Sequence, residues 1–284
     1  MVPRTVWAKR AAIWQAEIMT SFPVGTHVSA ETAIDDAQAR GAQVIQIMIG
    51  KPTAWKGHEL AFPGGSEALK DAAGEAGIGI YVHSPYILNV ASINNRVRIP
   101  SRKLLQSQLD LAAEIDALGL IVHGGHVGDA ELEVGYDNWR KALDAVDMHV
   151  PILIENTASG DGAVARGVER ISHLWQAVLA GDDGARVGFC LDTCHAWASG
   201  EDLPGLAERV REATGRIDLL HLNDSRDAQG SGADRHANLG KGQIPEDDLR
   251  AVVKEAQAPI ILETPGGLDE HVADMAWVSQ TLNT

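Results

Sequence analysis

The sequence predicts a (β/α)8 barrel, the TIM-barrel architecture, built as one domain. Eight short apolar runs alternate with eight helix-like stretches between Val24 and Leu282, which is the repeat of that fold. The runs are continuously apolar rather than alternating, as strands covered on both faces are. Several helix-like stretches stop at a glycine (Gly41, Gly77, Gly119), a residue suited to the left-handed turn that closes a helix.

The candidate strands are Val24–Val28, Gln43–Ile49, Gly79–His83, Leu120–His123, Ile152–Glu155, Val187–Asp192, Leu219–Asn223 and Ile260–Glu263. The candidate helices are Ala30–Arg40, Gly65–Ala76, Arg102–Leu118, Asn138–Val146, Val168–Leu179, Leu206–Thr214, Glu246–Ala256 and Leu268–Leu282. A doubly wound open sheet is the runner-up. It is weakened because no G-x-G-x-x-G opens a helix after the first strand. No repeat, low-complexity tract or linker divides the chain, so residues 21–284 read as one barrel domain behind an N-terminal extension, residues 1–20. That extension carries Arg4, Lys9 and Arg10 without a following apolar stretch, so it reads as a frayed or helical lead-in and not as a signal peptide. Met19 is an alternative start within it.

Composition narrows the class. At 45% hydrophobic and 22% charged residues over 284 positions, the chain is ordinary and globular, and long enough to bury a core without disulfides. No apolar run reaches about 18 residues, so no transmembrane helix and no membrane partner are expected. Cys190 and Cys194 are the two cysteines, which suits a reducing compartment. They read as small buried side chains. A net charge of −15 argues against general nucleic-acid binding and leaves room only for a local basic site. The acidic stretches Asp129–Glu133 and Glu246–Asp248 read as solvated faces.

The chemistry lies at the strand tips. Six successive candidate strands end in or beside His83, His123, Glu155, Asp192, His221 and Glu263, His195 follows Asp192 closely, and a loop adds Asp234 and His236. Alone, each has a bland reading as a cap or a hydrogen-bonded core residue. A barrel, however, gathers all strand tips on one face. Carboxylates and imidazoles packed so closely would repel or stay unsatisfied unless cations join them. Five His, two Asp and two Glu suit Zn²⁺, with Mn²⁺ or Fe²⁺ as alternatives. Nine ligands with one bridging carboxylate fit three ions. Three divalent ions against four carboxylates leave a positive pocket able to hold a phosphate inside an acidic protein.

The motifs Gly25-Thr-His-Val-Ser29, His83-Ser-Pro-Tyr-Ile-Leu-Asn89, Ile154-Glu-Asn-Thr157, Cys190-Leu-Asp-Thr-Cys-His195, His221-Leu-Asn-Asp224, Asp234-Arg-His-Ala-Asn-Leu-Gly240 and Leu262-Glu-Thr264 resemble those of the endonuclease IV family of apurinic/apyrimidinic endonucleases. The resemblance runs from Val24 to the C-terminus and is nearest to actinobacterial members. It implies three zinc ions: one held by His83, His123 and bridging Glu155; one by Glu155, Asp192, His221 and Glu263; one by His195, Asp234 and His236. It implies a monomeric bacterial cytoplasmic enzyme that cuts double-stranded DNA 5′ to abasic sites, leaving a 3′-hydroxyl and a 5′-deoxyribose phosphate. Glu155 and Glu263 are the expected catalytic carboxylates. Some positions depart from the family: Thr53 and Gly232 stand where arginine is frequent, and His123-Gly-Gly replaces His-Pro-Gly.

For DNA contacts, Tyr86 with Ile87 is the candidate wedge into the base stack. The acid-free stretch Asn94–Lys103, read as a loop, offers Arg96, Arg98, Arg102 and Lys103 to phosphates. Arg235, with Lys51, Lys56 and Arg226, is a weaker candidate. His27 is expected near the site floor. The rival reading is a xylose-isomerase-like sugar isomerase or epimerase using Glu155, Asp192, His221 and Glu263 with one or two ions.

Overall fold

The structure, a computed structural model, describes residues 22–283; the expected N-terminal extension lies outside the described residues. All eight candidate strands form within two residues of their predicted ends. They are β1 (Val24–His27), β2 (Val44–Met48), β3 (Gly79–His83), β4 (Gly119–His123), β5 (Ile152–Glu155), β6 (Gly188–Asp192), β7 (Leu219–His221) and β10 (Ile260–Leu262). Each pairs in parallel with its neighbours, and β1 closes the ring between β2 and β10. A two-stranded antiparallel hairpin, β8 (Asp224–Ser225) with β9 (His236–Ala237), follows β7.

The outer ring comprises α1 (Ala33–Arg40, behind a 3-10 turn at Ala30–Thr32), α2 (Gly65–Ala76), α3 (Asn95–Glu114), α4 (Leu132–Leu143) and α5 (Gly167–Leu179). It continues with α6 (Thr193–Ser199), α7 (Leu206–Thr214), α8 (Glu246–Ala256) and α9 (Leu268–Leu282). Two of the three expected glycine stops form: Gly41 and Gly77 are left-handed caps whose N–H groups return to the last helical carbonyls, whereas Gly119 opens β4, the helix before it having ended at Glu114 with Ile115 as its cap.

Two helices start earlier than the sequence pattern suggested. The Asn94 side chain accepts from the Arg96 N–H and caps α3, which corrects the expected basic loop Asn94–Lys103 to the opening turns of a helix. Pro100 lies inside α3 and forfeits one backbone bond. The buried face of Leu104, Leu105, Gln108, Leu109 and Ala112 carries the helix through it. In α4 the acidic stretch supplies the N-cap Glu131 and first-turn Glu133, where negative charge meets the positive end of the helix dipole. Glu246, Asp247 and Asp248 occupy the first turn of α8 in the same way.

The core has two parts. A large cluster fills the space between barrel and helices, with Trp139, Trp175 and Phe189 fully buried in it. A small one plugs the barrel: Val44, Tyr81, Ile121, Leu153, Cys190, Leu219 and Ile261. Strand side chains alternate faces with period two, so the residue two positions after each plug residue also points inward, one layer higher. Those residues are Gln46, His83, His123, Glu155, Asp192, His221 and Glu263. Barrel alternation thus turns seven apolar plugs into a floor beneath seven polar groups. β1 approaches β2 closely: a Cβ on Gly25 would lie 1.5 Å from the Val44 carbonyl oxygen, so no other residue fits there.

Candidate metal centre

Glu155 stands at the middle of the polar layer, fully buried. Its Oε2 faces His83 Nε2 and His123 Nε2, each at 3.2 Å. Its Oε1 faces His221 Nδ1 at 3.0 Å and His195 Nδ1 at 3.3 Å. On one flank, Glu263 Oε2 lies 3.3 Å from His221 Nδ1. On the other, Asp234 joins His195 Nε2 at 3.2 Å and His236 Nε2 at 3.1 Å. Asp192 is within 4.0 Å of ring nitrogens of His195, His221 and His236. All nine residues singled out in the sequence therefore lie in one pocket. Asp234 forms its half-exposed rim.

Local structure explains why each side chain arrives there. Asp192 ends β6 and caps α6, its Oδ1 accepting from the His195 N–H at 2.6 Å. That short helix, absent from the sequence reading, presents His195 one turn after Asp192. Asp224 accepts from the N–H groups of Ser225, Gly242 and Ile244. This ties down the loop that follows the β8–β9 hairpin, the element that carries Asp234 and His236.

The histidines are oriented by their outer nitrogens. His83 Nδ1 bonds the Ser84 carbonyl, His236 Nδ1 the Glu263 carbonyl, and His221 Nε2 the Gln46 side-chain oxygen. In each, the proton is committed outward and the other nitrogen turns to the pocket, the arrangement that prepares an imidazole to ligate a metal. The carboxylates are braced too: Asn223 Nδ2 donates to Asp192 Oδ2 at 2.7 Å, and Gln46 Nε2 to Glu263 Oε1 at 2.6 Å. Asn156 exchanges hydrogen bonds with the Asp192 backbone and takes one from His195. Sequence reasoning missed Gln46, Asn156 and Asn223. Their signal was a polar residue inside an apolar run, or directly beside a proposed ligand.

Electrostatically the groups share protons. Burial would raise the Glu155 carboxyl, but the charges of His123 and His221 and hydrogen bonds from His123 and His195 hold it well below the usual range. Burial opposes charging His195 and His221, yet both are raised well above an ordinary imidazole, by Asp192 with Asp234 in one case and by Cys190, Glu263 and Glu155 in the other. His236 rises to about 9 against its own burial, chiefly through Asp234 and Asp192. Glu263, despite burial, falls to about 2 through His221. Asp192, fully buried, is raised by burial.

The donor set fits divalent metal ions. Ligand-type atoms group as His83–His123–Glu155, as Glu155–Asp192–His221–Glu263 and as Asp192–His195–His236, each within 4.8 Å. The buried Nε2 of His236 makes no hydrogen bond, although Asp234 lies beside it. With Nδ1 committed to the Glu263 carbonyl, a neutral His236 would turn a bare Nε2 on the Asp234 carboxylate at 3.1 Å, acceptor against acceptor, and a cation between them would remove that conflict. The cysteines read as small buried residues are buried, and burial lifts both thiols to about 12.

The expected DNA contacts are placed as follows. Tyr86 is 60% exposed, its ring 5.6 Å from that of His83 and 5.8 Å from that of His123, so it stands over the pocket. Ile87 is half-buried, and its N–H donates to the Pro52 carbonyl, joining the loop that carries the exposed Thr53. Arg96 is exposed at the start of α3. Arg98 is engaged with Asn138 and Asn95. Arg235 is held by Asp227 through Nε at 2.8 Å and through Nη2. Arg226 is exposed, its Nε on the His236 carbonyl.

Comparison with known proteins adds three findings. The family model described as "Xylose isomerase-like TIM barrel" matches residues 34–281. The chain is similar to "Probable endonuclease 4" of Mycobacterium marinum, 50% identical over 264 residues, covering 92% of this chain and 99% of that one. The corresponding Mycobacterium tuberculosis protein is 52% identical over 242 residues, covering 85% and 92%. Among solved structures, endonuclease IV from Thermus thermophilus superposes with a TM-score of 0.78 at 28% identity, covering 92% of this chain and 99% of that one. A D-tagatose 3-epimerase-like protein superposes at 0.73 with 18% identity over 92% of this chain and 97% of that one, a likeness of fold alone.

Proposed function

The chain belongs to the endonuclease IV family of xylose isomerase-like TIM barrels, and from that membership we propose that it hydrolyses DNA 5′ to apurinic/apyrimidinic sites with a trinuclear zinc centre. The products of that reaction are a 3′-hydroxyl and a 5′-deoxyribose phosphate. The observation that carries the reading is Glu155: one buried carboxylate with two imidazole nitrogens against each oxygen. That is the setting of a carboxylate shared between two ions.

On this reading His83, His123 and Glu155 hold one ion, Glu155, Asp192, His221 and Glu263 a second, and His195, Asp234 and His236 a third. Mn²⁺ or Fe²⁺ can replace zinc at one position. Bound divalent ions supply Lewis-acid polarisation of the phosphate and an acidified water. The chain's residues do the rest. Glu155 and Glu263 orient the attacking water, the latter kept in place by Gln46. Tyr86 and Ile87 address the stack beside the lesion, Arg96 a backbone phosphate. Extruding a nucleotide that lacks its base costs less than extruding an intact one, so the site selects damage before any base is read. The enzyme acts as a monomer in the bacterial cytoplasm; among the described residues no helix is long and apolar enough to cross a membrane.

The second reading, a sugar isomerase or epimerase, draws on the Glu155–Asp192–His221–Glu263 group alone. It leaves His83, His123, His195, Asp234 and His236 without a task. Elemental analysis beside a nicking assay on a duplex with one abasic analogue decides. About three zinc ions per chain and a single cut support the nuclease. One ion and no cut overturn it.

A further inference from the structure

His27 ends β1 in the same pocket. It is half-buried, and its electrostatic neighbours are Glu263, His83, His221 and His271. None of the proposed ion-holding sets uses it. Its Nδ1 lies 3.1 Å from Gln46 Nε2, and the Gln46 network fixes which way the proton faces.

The Gln46 amide is fully enclosed and has three partners. One is Glu263 Oε1 at 2.6 Å, the oxygen of an ionised carboxylate that only accepts, so the amide nitrogen must face it. The Gln46 oxygen then faces His221 Nε2 at 2.8 Å and accepts from it. The second amide hydrogen is left for His27 Nδ1, which must accept. The His27 proton therefore sits on Nε2. Among the described residues no hydrogen bond is made by that nitrogen, and His27 is the last, partly exposed residue of β1, at the strand tips that line the pocket. Burial, with His83 and His221 nearby, lowers the imidazole and keeps it a neutral donor.

We propose that His27 is a further working residue of the site, donating a hydrogen bond from Nε2–H to a non-bridging oxygen of the phosphate being cut, and that Gln46 is the residue that positions it. The proposal rests on the phosphodiesterase reading above. A phosphate oxygen only accepts hydrogen bonds, and a preorganised donor beside it strengthens as charge builds during attack. His27 moves no proton in this role, so the chemistry of the ions is unchanged.

The test uses the zinc-loaded full chain. Ring ¹⁵N shifts of His27 should show Nε2 protonated and Nδ1 bare, and inorganic phosphate should move the Nε2–H resonance. His27→Ala and His27→Asn should keep wild-type zinc content and lose roughly 10- to 100-fold in kcat, the worth of one hydrogen bond to a charged group, with little change in KM. His27→Gln, whose amide nitrogen reaches where Nε2 stood, should recover most of that loss. A proton on Nδ1, an Nε2–H resonance indifferent to phosphate, an alanine variant that turns over normally, or a glutamine variant no better than alanine each overturn the proposal. Zinc loss in the alanine variant that glutamine does not restore would mark a purely structural His27 and overturn it too. Should the wild type fail to nick an abasic duplex, the endonuclease reading falls, while the tautomer and phosphate measurements still decide the role of His27.

Discussion

Replacing Glu155 with glutamine changes one oxygen into an amide and leaves the volume intact. The consequence follows from its neighbours. In the native chain each carboxylate oxygen faces two imidazole nitrogens at 3.0–3.3 Å. The amide can present acceptor character to only one of those pairs and turns N–H groups on the other. One of the negative charges that raise His221 and His195, beside Cys190 and Glu263 for the first and Asp192 and Asp234 for the second, disappears. Removing one partner of a buried charge network costs about 3–5 kcal/mol, and deprotonation of the imidazoles recovers part of it. A net loss of about 3 kcal/mol corresponds to roughly 6–12 °C in Tm for a domain of this size. The functional loss should be larger, because two of the three proposed ions share this carboxylate. Glu155→Gln should bind about one zinc ion and cut an abasic duplex at least 10³-fold more slowly. Elemental analysis, thermal unfolding and single-turnover cleavage measure the three effects. Three ions with cleavage within tenfold of wild type would refute the shared-carboxylate argument.

Further outcomes follow from the same geometry. In metal-free protein His236 is raised from 6.5 to about 9, so its contribution, up to about 3 kcal/mol, is present below pH 6.5 and lost as pH rises through 9. Chelator-treated protein should therefore lose Tm across that window while the stabilisation conferred by zinc grows, since the ion replaces the proton; a Tm of stripped protein that climbs with pH contradicts this. Arg96→Ala should lower the slope of log K against log salt by about 1, whereas Arg235→Ala, already neutralised by Asp227, should leave it unchanged; equal slopes for Arg96→Ala and wild type would remove Arg96 from the contact. Tyr86→Ala should keep its zinc yet lose most of its preference for abasic over intact duplex in competition binding, because the ring over His83 and His123 is then gone; undiminished preference rules out the wedge.

Much of this was legible in the sequence because a barrel converts one-dimensional order into three-dimensional position. His83, His123, Asp192 and His221 are the last residues of their strands, and closure alone brings them together. What stayed illegible depended on side-chain contacts between strands. Gln46 reads as one polar residue in Val-Ile-Gln-Ile-Met, and only the register His27↔Gln46 with the approach of Glu263 and His221 gives it a role. The start of α3 was misplaced because the Asn94 cap and a long buried face outweigh Pro100. The α6 helix, seven residues long, has no periodicity to detect; the Asp192 cap that nucleates it was seen only as a ligand.

Charge distribution resolves the apparent conflict between a net −15 and a polyanionic substrate. Several acids outside the pocket open helices: Glu131 and Glu133 at α4, Glu246 to Asp248 at α8, Asp269 and Glu270 at α9, where they meet the positive ends of the helix dipoles. The opening turns of α3 carry Arg96, Arg98 and Arg102 with no acid in the first turn, and that helix follows the loop bearing Tyr86. Inside the pocket the four carboxylates are each matched to imidazoles, so divalent ions that displace the shared protons would make the cavity positive. Exposed charges farther apart than about 8–10 Å are screened at physiological salt. A phosphate at the strand tips therefore responds first to the charges of the pocket itself, which bound divalent ions would turn positive.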